Sequence, residues 1–302
     1  ITLKFFQFFE PLATCVLCPA IHHLYPLLSD VFDSPGTNCR NRVTRIQQLA
    51  SEEADMTQRT KPPFRADHVG SLLRPKAITK GFKKFQAGQI TQEQFVAIQD
   101  DAIREVIKLQ ENVGLKSITD GEFRRASYWY RFVDKVDGLE VREALFKFHD
   151  DQGHTQSFTA PHVAGKIKRT QSIAGDEFAF INAHTSQTPK VTLPSPPSMH
   201  LWRLNKGVDP AAYDSTAAFF KDLGCVFREE IVELAGDGAT YVQLDDVPLP
   251  MLCDGNVRDQ LQAVGIDATE LLDDYINLFN DSLAERPNTV TAAIHLCRGN
   301  YK

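Results

Sequence analysis

The residues with chemical capacity fall in a few short stretches. His295-Leu-Cys297 closes an apolar run from Val290 to Leu296. Residues two apart on a strand face the same way, so an imidazole and a thiolate would stand side by side. Nitrogen and sulfur so placed suit one zinc ion, at about 2.0–2.1 Å and 2.3 Å. On spacing alone, a half-buried histidine beside a cysteine packed as a small hydrophobe also fits. Asp120-Gly-Glu122 and Asp245-Asp246 each follow a short apolar run. Such carboxylates either receive an ammonium group or cap the helix that follows. Trp202 reads as a stacking platform or as core, and His68 as a site residue or a hydrogen-bonded structural histidine. Cys15-Val-Leu-Cys18 with His22-His23 has metal-like spacing, but no second ligand pair follows at finger spacing.

These stretches need elements to hold them. From Lys61 onward strand-like and helix-like segments alternate, the pattern of a parallel α/β domain. Thr91-Gln-Glu-Gln94 is a capping box, and Phe95, Ile98, Ala102, Ile103, Val106, Ile107 and Leu109 recur at helical spacing until Gly114. Leu115 to Thr119 then reads as a strand opening into Asp120. A helix over 211–235 and a strand over 239–244 lead to Asp245, and a helix over 268–284 leads to the strand carrying His295. Ionisable residues at carboxyl ends of strands predict a (β/α)8 TIM-type barrel, whose chemistry sits on that face. An open doubly wound sheet is the competing architecture, and no G-x-G-x-x-G follows a strand here. Candidate strands lie at 66–72, 115–119, 163–167, 190–193, 239–244 and 289–296. That is about six of the eight a closed barrel requires, so the expectation is an incomplete barrel.

Composition narrows the partners. The 302 residues carry 24% charged residues and a formal net charge of −6 without a basic block, which points away from nucleic acid and membrane surfaces and toward a small-molecule substrate. Six scattered cysteines make no disulfide framework and predict a reducing, cytoplasmic setting. Residues 1–55 differ in character: rich in Phe and Pro, without helical or strand period, and starting on Ile. The apolar stretch 11–21 is too short to span a bilayer. Glu10 and a lone Lys4 argue against a secretory signal; Arg40, Arg42 and Arg45 cluster as in a mitochondrial presequence, but Asp30, Asp33, Glu52, Glu53 and Asp55 argue against one. The expectation is an N-terminal extension over 1–55, poorly ordered, with Met56 the natural start of a C-terminally truncated barrel over 56–302.

Taken together, Asp67-His-Val-Gly-Ser-Leu-Leu-Arg-Pro75, Thr119-Asp-Gly-Glu-Phe-Arg124, Val242-Gln-Leu-Asp-Asp-Val-Pro248 and His295-x-Cys297-x-Gly-Asn300 resemble the cobalamin-independent methionine synthase family, above all its short single-barrel members. The resemblance runs from about Pro62 to the end. It implies a (β/α)8 fold and zinc-dependent transfer of a methyl group to a thiol, in methionine biosynthesis from methyltetrahydrofolate to homocysteine.

By position, the resemblance makes His295 and Cys297 two zinc ligands, with the remaining glutamate and cysteine expected beyond Lys302. Glu122 matches the residue that holds the amino group of homocysteine, and Asp245 the carboxylate that assists it. Ser71, with the backbone at Val69 and Gly70, matches the receiver of the amino acid's carboxylate. Trp202 matches the pterin-stacking tryptophan. Zinc coordination deprotonates a thiol whose free pKa is about 8.5, so the metal generates the nucleophile. Two further readings stay open: zinc-dependent alkyl transfer between a different donor and thiol, and a catalytically incompetent truncated homologue.

Overall fold

The computed structural model describes residues 60–145 and 158–297, and between them the backbone at 148–149 and 155–156. The expectations for residues 1–55, Cys15, Cys18, His22 and His23 included, lie outside the described residues.

The described residues open with helices α1 (Lys76–Gln86) and α2 (Gln92–Asn112), strand β1 (Ser117–Ile118) and helix α3 (Tyr130–Lys135). Strands β2 (Val136–Glu143), β3 (Phe148–His149), β4 (Thr155–Gln156) and β5 (Thr159–Arg169) precede helix α4 (Gly175–His184), strands β6 (Thr188–Pro189) and β7 (Val191–Pro194), and helix α5 (Thr216–Gly236). Strand β8 (Tyr241–Asp246), helices α6 (Pro248–Met251), α7 (Gly255–Ala263) and α8 (Ala268–Leu283), and strand β9 (Thr291–Leu296) complete it.

The capping box forms as its residues require: the Thr91 N–H donates to Gln94 Oε1 at 2.9 Å and the Gln94 N–H to Thr91 Oγ1 at 3.3 Å. From that start α2 buries Phe95, Gln99, Ala102, Ile103, Val106, Ile107 and Gln110. Leu109, expected on the buried face, is exposed. The stripe passes instead through Gln110, whose amide donates to the carbonyls of Val106 and Thr119. Ile78, Ile103, Ile107 and Ile181, from α1, α2 and α4, pack with Ile118 of β1 in one cluster. Helix α5 starts at 216 rather than 211, because Asp209 turns the chain by accepting from Ala211 N–H, and Ser215 caps the helix by accepting from Ala218 N–H.

Parallel pairing runs through consecutive segments. Ser71 bridges Gly121, β1 pairs β6, β7 pairs β8 and β8 pairs β9, all parallel. Lys190 joins β6 to β7, and its N–H donates to Ile118 O at 2.8 Å, so the ladder continues across it. Neighbours in space are neighbours in sequence, the succession of a β/α barrel; a doubly wound sheet reverses its order. Strands β7 and β8 are buried at every residue, as parallel strands covered on both faces must be.

One expected strand is corrected. Residues 163–167 belong to β5, which pairs antiparallel with β2 over Val136–Glu143, and so stand outside the parallel ladder. β2 is buried only at Val136, and β5 buries Ala160 to Val163 and Ile167, so the pair lacks the continuous burial of the parallel strands β7 and β8. Five parallel segments, rather than six, join the ladder among the described residues. Gly138 sits at the bulge between β2 and β5 with φ +84°, where a Cβ would lie 2.5 Å from Lys166 O.

Residues 252–274 belong to a separate compact unit. Asp254 caps α7 by accepting from Asn256 and Val257 N–H, and Asp267 caps α8 by accepting from Thr269 and Glu270 N–H.

Two buried charges matter most in the ladder. Lys190 is 1% exposed, and its Nζ donates to Asp67 Oδ1 at 2.8 Å, to the His68 carbonyl, and to Gln243 Oε1 at 3.2 Å. Asp67 also accepts from Ser117 Oγ and Tyr241 Oη, both at 2.6 Å. Asp120, at the end of the β1 segment, is buried, and its Oδ2 finds no partner among the described residues. Burial pushes its pKa from 3.8 up to about 7, Glu177 adding to the shift and Arg125 opposing it.

Asp67→Ala leaves Lys190 charged and uncompensated and is expected to cost about 3 kcal/mol in urea denaturation; Lys190→Met, which removes the charge itself, costs less. For Asp120 the folded-state pKa lies above the unfolded value. Its contribution to stability is therefore full below about pH 3.8 and is lost as pH rises toward 7. Asp120→Asn, with no charge to bury, is expected to flatten the fall in stability that denaturant titrations of the parent protein record across that window.

Candidate active site

The register of β8 and β9 sets Asp245 directly beside His295 and Asp246 beside Leu296. His295 Nδ1 lies 3.0 Å from Asp245 Oδ1. The Cys297 N–H donates to Asp246 O at 2.7 Å, carrying the pairing one residue past β9, so strand alternation returns Cys297 to the side of His295. A carboxylate on Nδ1 demands an N–H there and leaves the lone pair on Nε2, the arrangement in which imidazole binds a metal. The nitrogen and sulfur donors therefore fit zinc, as half of a site: among the described residues no group of three or more His, Cys, Asp or Glu side chains is placed to hold a metal ion.

Glu122 comes from the turn after β1. Gly121 and Glu122 have φ +68° and +60°, a left-handed pair in which glutamate is strained. Asp120 Oδ1 holds the turn by accepting from the Glu122 N–H at 2.8 Å. Asp120 thus makes a local turn rather than a helix cap; α3 begins at Trp129 with no side-chain cap. The Glu122 carboxylate is buried, with Oε1 accepting from Thr192 Oγ1 at 3.1 Å and lying 3.7 Å from Arg125 Nη1. Arg125 is fixed in turn by Glu177 Oε2 at 2.6 Å and by the hydroxyl and carbonyl of Thr192 at 2.9 and 2.8 Å. Burial raises the Glu122 pKa, with Arg125 opposing and Asp245 reinforcing the shift. Desolvation works to lower the Arg125 pKa, but Glu177, Glu122 and Asp120 hold it up.

The paired aspartates divide their work. Asp246 Oδ2 accepts from the Leu249 N–H at 2.8 Å and caps α6. Asp245 turns to His295 and to Gln243, whose Nε2 donates to Asp245 Oδ1 at 2.7 Å and to Val69 O at 2.6 Å. Gly70, φ +117°, packs so closely that a Cβ would lie 2.6 Å from Thr192 Cγ2 and 3.7 Å from Glu122 Oε1. Its N–H donates to His68 Nδ1 at 3.2 Å, while His68 Nε2 meets Gln110 Oε1 at 2.9 Å. His68 is therefore a structural histidine of the Gly70 loop, and burial lowers its pKa, keeping it neutral. Ser71 is exposed beside this loop.

Trp202 is 7% exposed, edge-on to Phe158 at 5.4 Å and packed with Ala144 and Ala160. It also hydrogen-bonds Tyr128, which donates to Ser198 Oγ at 3.3 Å. The structure thus brings Gly70, Glu122, Asp245 and His295 into one connected group, and sets Trp202 in an apolar cluster beside it. Arg124 lies elsewhere, on Asp100 at 2.6 Å and over the Phe180 ring. Sequence reasoning missed Thr192, Lys190, Glu177 and Gln243. Only Gln243 carried a signal, two residues before Asp245 on the same strand face.

Comparison with known proteins identifies the family. Residues 64–297 match the family model for the cobalamin-independent synthase catalytic domain. The chain is 33% identical over 245 residues to the uncharacterized protein YxjH of Bacillus subtilis (strain 168), covering 80% of this chain and 63% of that protein. It is 25% identical over 229 residues to a 5-methyltetrahydropteroyltriglutamate–homocysteine methyltransferase of Synechococcus sp. (strain JA-2-3B'a(2-13)), covering 72% of this chain and 29% of the relative. A solved structure from Listeria monocytogenes, assigned to the vitamin-B12 independent methionine synthases, superposes with a TM-score of 0.66 at 31% identity, over 80% of this chain and 68% of that one. The chain therefore spans under two thirds of YxjH and less than a third of the Synechococcus enzyme. By its strand succession, its site residues and these matches, this chain belongs to the cobalamin-independent methionine synthase family, in the catalytic domain.

Proposed function

We propose that this chain supplies the amino-acid subsite and two metal ligands of a zinc-dependent methyltransferase that methylates a thiol, homocysteine in the first instance, with methyltetrahydrofolate as donor. The observation that carries the reading is the 3.0 Å contact between His295 Nδ1 and Asp245 Oδ1, which makes one carboxylate common to an ammonium-binding pair and a metal-binding nitrogen.

The chain's own residues do the positioning. Glu122 and Asp245 offer buried negative charge to the substrate ammonium, and the exposed Ser71 hydroxyl, beside the Gly70 loop, is the handle for its carboxylate. An amino acid gripped at both ends can swing its thiol through few directions, and that restriction is where rate is gained. His295 and Cys297 would hold zinc, whose contribution when bound is to stabilise the substrate thiol as thiolate. Thr192 and Arg125 keep Glu122 in its strained turn, so the carboxylate need not reorganise when the ammonium arrives. Among the described residues no helix is long and apolar enough to cross a membrane.

Trp202 bears on the donor. A pterin needs an open aromatic face, and Trp202 is buried against Phe158. That burial supports a second reading, in which Trp202 walls the donor site and the methyl group comes from a different donor. A panel of methyl donors assayed with homocysteine separates the two: turnover with methyltetrahydrofolate is expected, and turnover with other donors alone replaces the folate assignment.

The ammonium assignment has its own test. Glu122→Gln is expected to weaken homocysteine binding by about 1.5–3 kcal/mol in calorimetry, and to leave binding of the desamino analogue 4-mercaptobutyrate nearly unchanged. Equal losses for both ligands would remove Glu122 from the ammonium site. Because burial raises the Glu122 pKa, homocysteine affinity should also fall on acidification at a higher pH than an ordinary glutamate dictates, and Glu122→Gln should abolish that step.

A further inference from the structure

We propose that Gln243 is a positioning residue that fixes the tautomer and direction of His295, acting through Asp245 and anchored by the buried Lys190. The purpose of this arrangement rests on the zinc reading above; its geometry does not.

The chain of contacts is continuous. Lys190 Nζ, held by Asp67 Oδ1 at 2.8 Å, donates to Gln243 Oε1 at 3.2 Å. Gln243 Nε2 donates to Val69 O at 2.6 Å and Asp245 Oδ1 at 2.7 Å. Asp245 Oδ1 accepts from His295 Nδ1 at 3.0 Å. Each parallel segment of the ladder contributes a link, counting Ser117 on Asp67.

The orientation of the amide is forced. Turned by 180°, Gln243 would set its oxygen against the Val69 carbonyl and the Asp245 carboxylate, and its NH2 against an ammonium. Lys190 cannot swing away, being enclosed and paired with Asp67 at 2.8 Å. The amide therefore presents a fixed donor to Asp245 Oδ1. Two donors converge on that one oxygen, so the carboxylate has a single rotamer that serves both. His295 then carries its proton on Nδ1 and its lone pair on Nε2. The same amide holds Val69 O, one residue before Gly70, so the loop meant for the substrate carboxylate and the metal-binding nitrogen share one support.

The substitution that isolates this role is Gln243→Glu, which keeps the side chain's size and an oxygen for Lys190 but puts oxygen where the donor stood. Gln243→Met is the second variant. Metal-free protein labelled with 15N-histidine reads the His295 tautomer directly, the resonance being assigned by its loss in His295→Ala. In the parent protein a single Nδ1–H form is expected. In folded Gln243→Glu and Gln243→Met, that form should give way to a mixture, and zinc affinity measured against a competing chelator should fall about 10–100-fold. A parent His295 in the Nε2–H form, or a variant with the parent tautomer and affinity, overturns the proposal. So does unfolding of both variants, which would make Gln243 a residue of the fold alone. Should the parent protein bind no zinc, the zinc reading falls, and the tautomer still decides the role of Gln243.

Discussion

Lys190 brings an ammonium group into the middle of a parallel ladder, and the burial of that charge constrains everything around it. An unpaired ammonium in such a place is prohibitively costly, so the neighbouring strands must deliver acceptors to it. Asp67 supplies a carboxylate, His68 a carbonyl and Gln243 an amide oxygen. Meeting that demand fixes how far the Asp67 segment can slide along β8, and hence where Val69, Gly70 and Asp245 come to rest. The Glu122 turn is then confined by Gly70, which approaches Thr192 too closely for any side chain. A charge outside the candidate site thus sets the geometry of the groups within it.

The carboxyl ends of the strands carry two kinds of polar residue, and local turns sort them. After β1 the left-handed pair Gly121-Glu122 throws the glutamate inward, held by Asp120 below it and Thr192 beside it. After β8 one aspartate is drawn into the N-terminus of α6 and the other stays on the strand, facing β9. Strain at Glu122 and division of labour at Asp245 and Asp246 follow from the same requirement: one carboxylate from each turn must face the site while another closes the turn itself.

Much of this was legible in the sequence, for reasons that particular residues make plain. The capping box at Thr91 and the stripe that follows it are local, and local signals survive folding, though Gln110 displaced Leu109 because its amide had partners to serve. The motifs at Asp245 and His295 lie on adjoining strand ends, and the Glu122 motif one strand further along the ladder, in the order they take along the chain. The β5 segment misled because nothing local says whether a strand will pair parallel or antiparallel. Nor does sequence separate Asp245 from Asp246, where the choice lies with a helix only four residues long. Lys190 was illegible in principle: it looks like an ordinary surface cation, and only tertiary contact with Asp67 makes it a buried one. Gln243 stood between the two cases, two residues from a carboxylate on the same face, but nothing local says what its amide holds.

Charge accounting supports the proposed ammonium subsite. Asp120, Glu122, Glu177, Asp245 and Asp246 are all buried, against the two buried cations Arg125 and Lys190. Both cations are already engaged, Arg125 by Glu177 and Lys190 by Asp67. The excess of carboxylate is relieved in part by protonation: burial pushes Asp120 up to about 7 and Asp246 up to about 6. What remains is negative potential concentrated where Glu122 and Asp245 approach one another, and Asp245 adds to the burial that raises the Glu122 pKa. On the proposed reading, a ligand ammonium at that point would relieve the repulsion. Ligands lacking the positive charge would gain no such benefit, so the discrimination would reside in the empty site's own electrostatic discomfort rather than in the number of contacts a ligand makes.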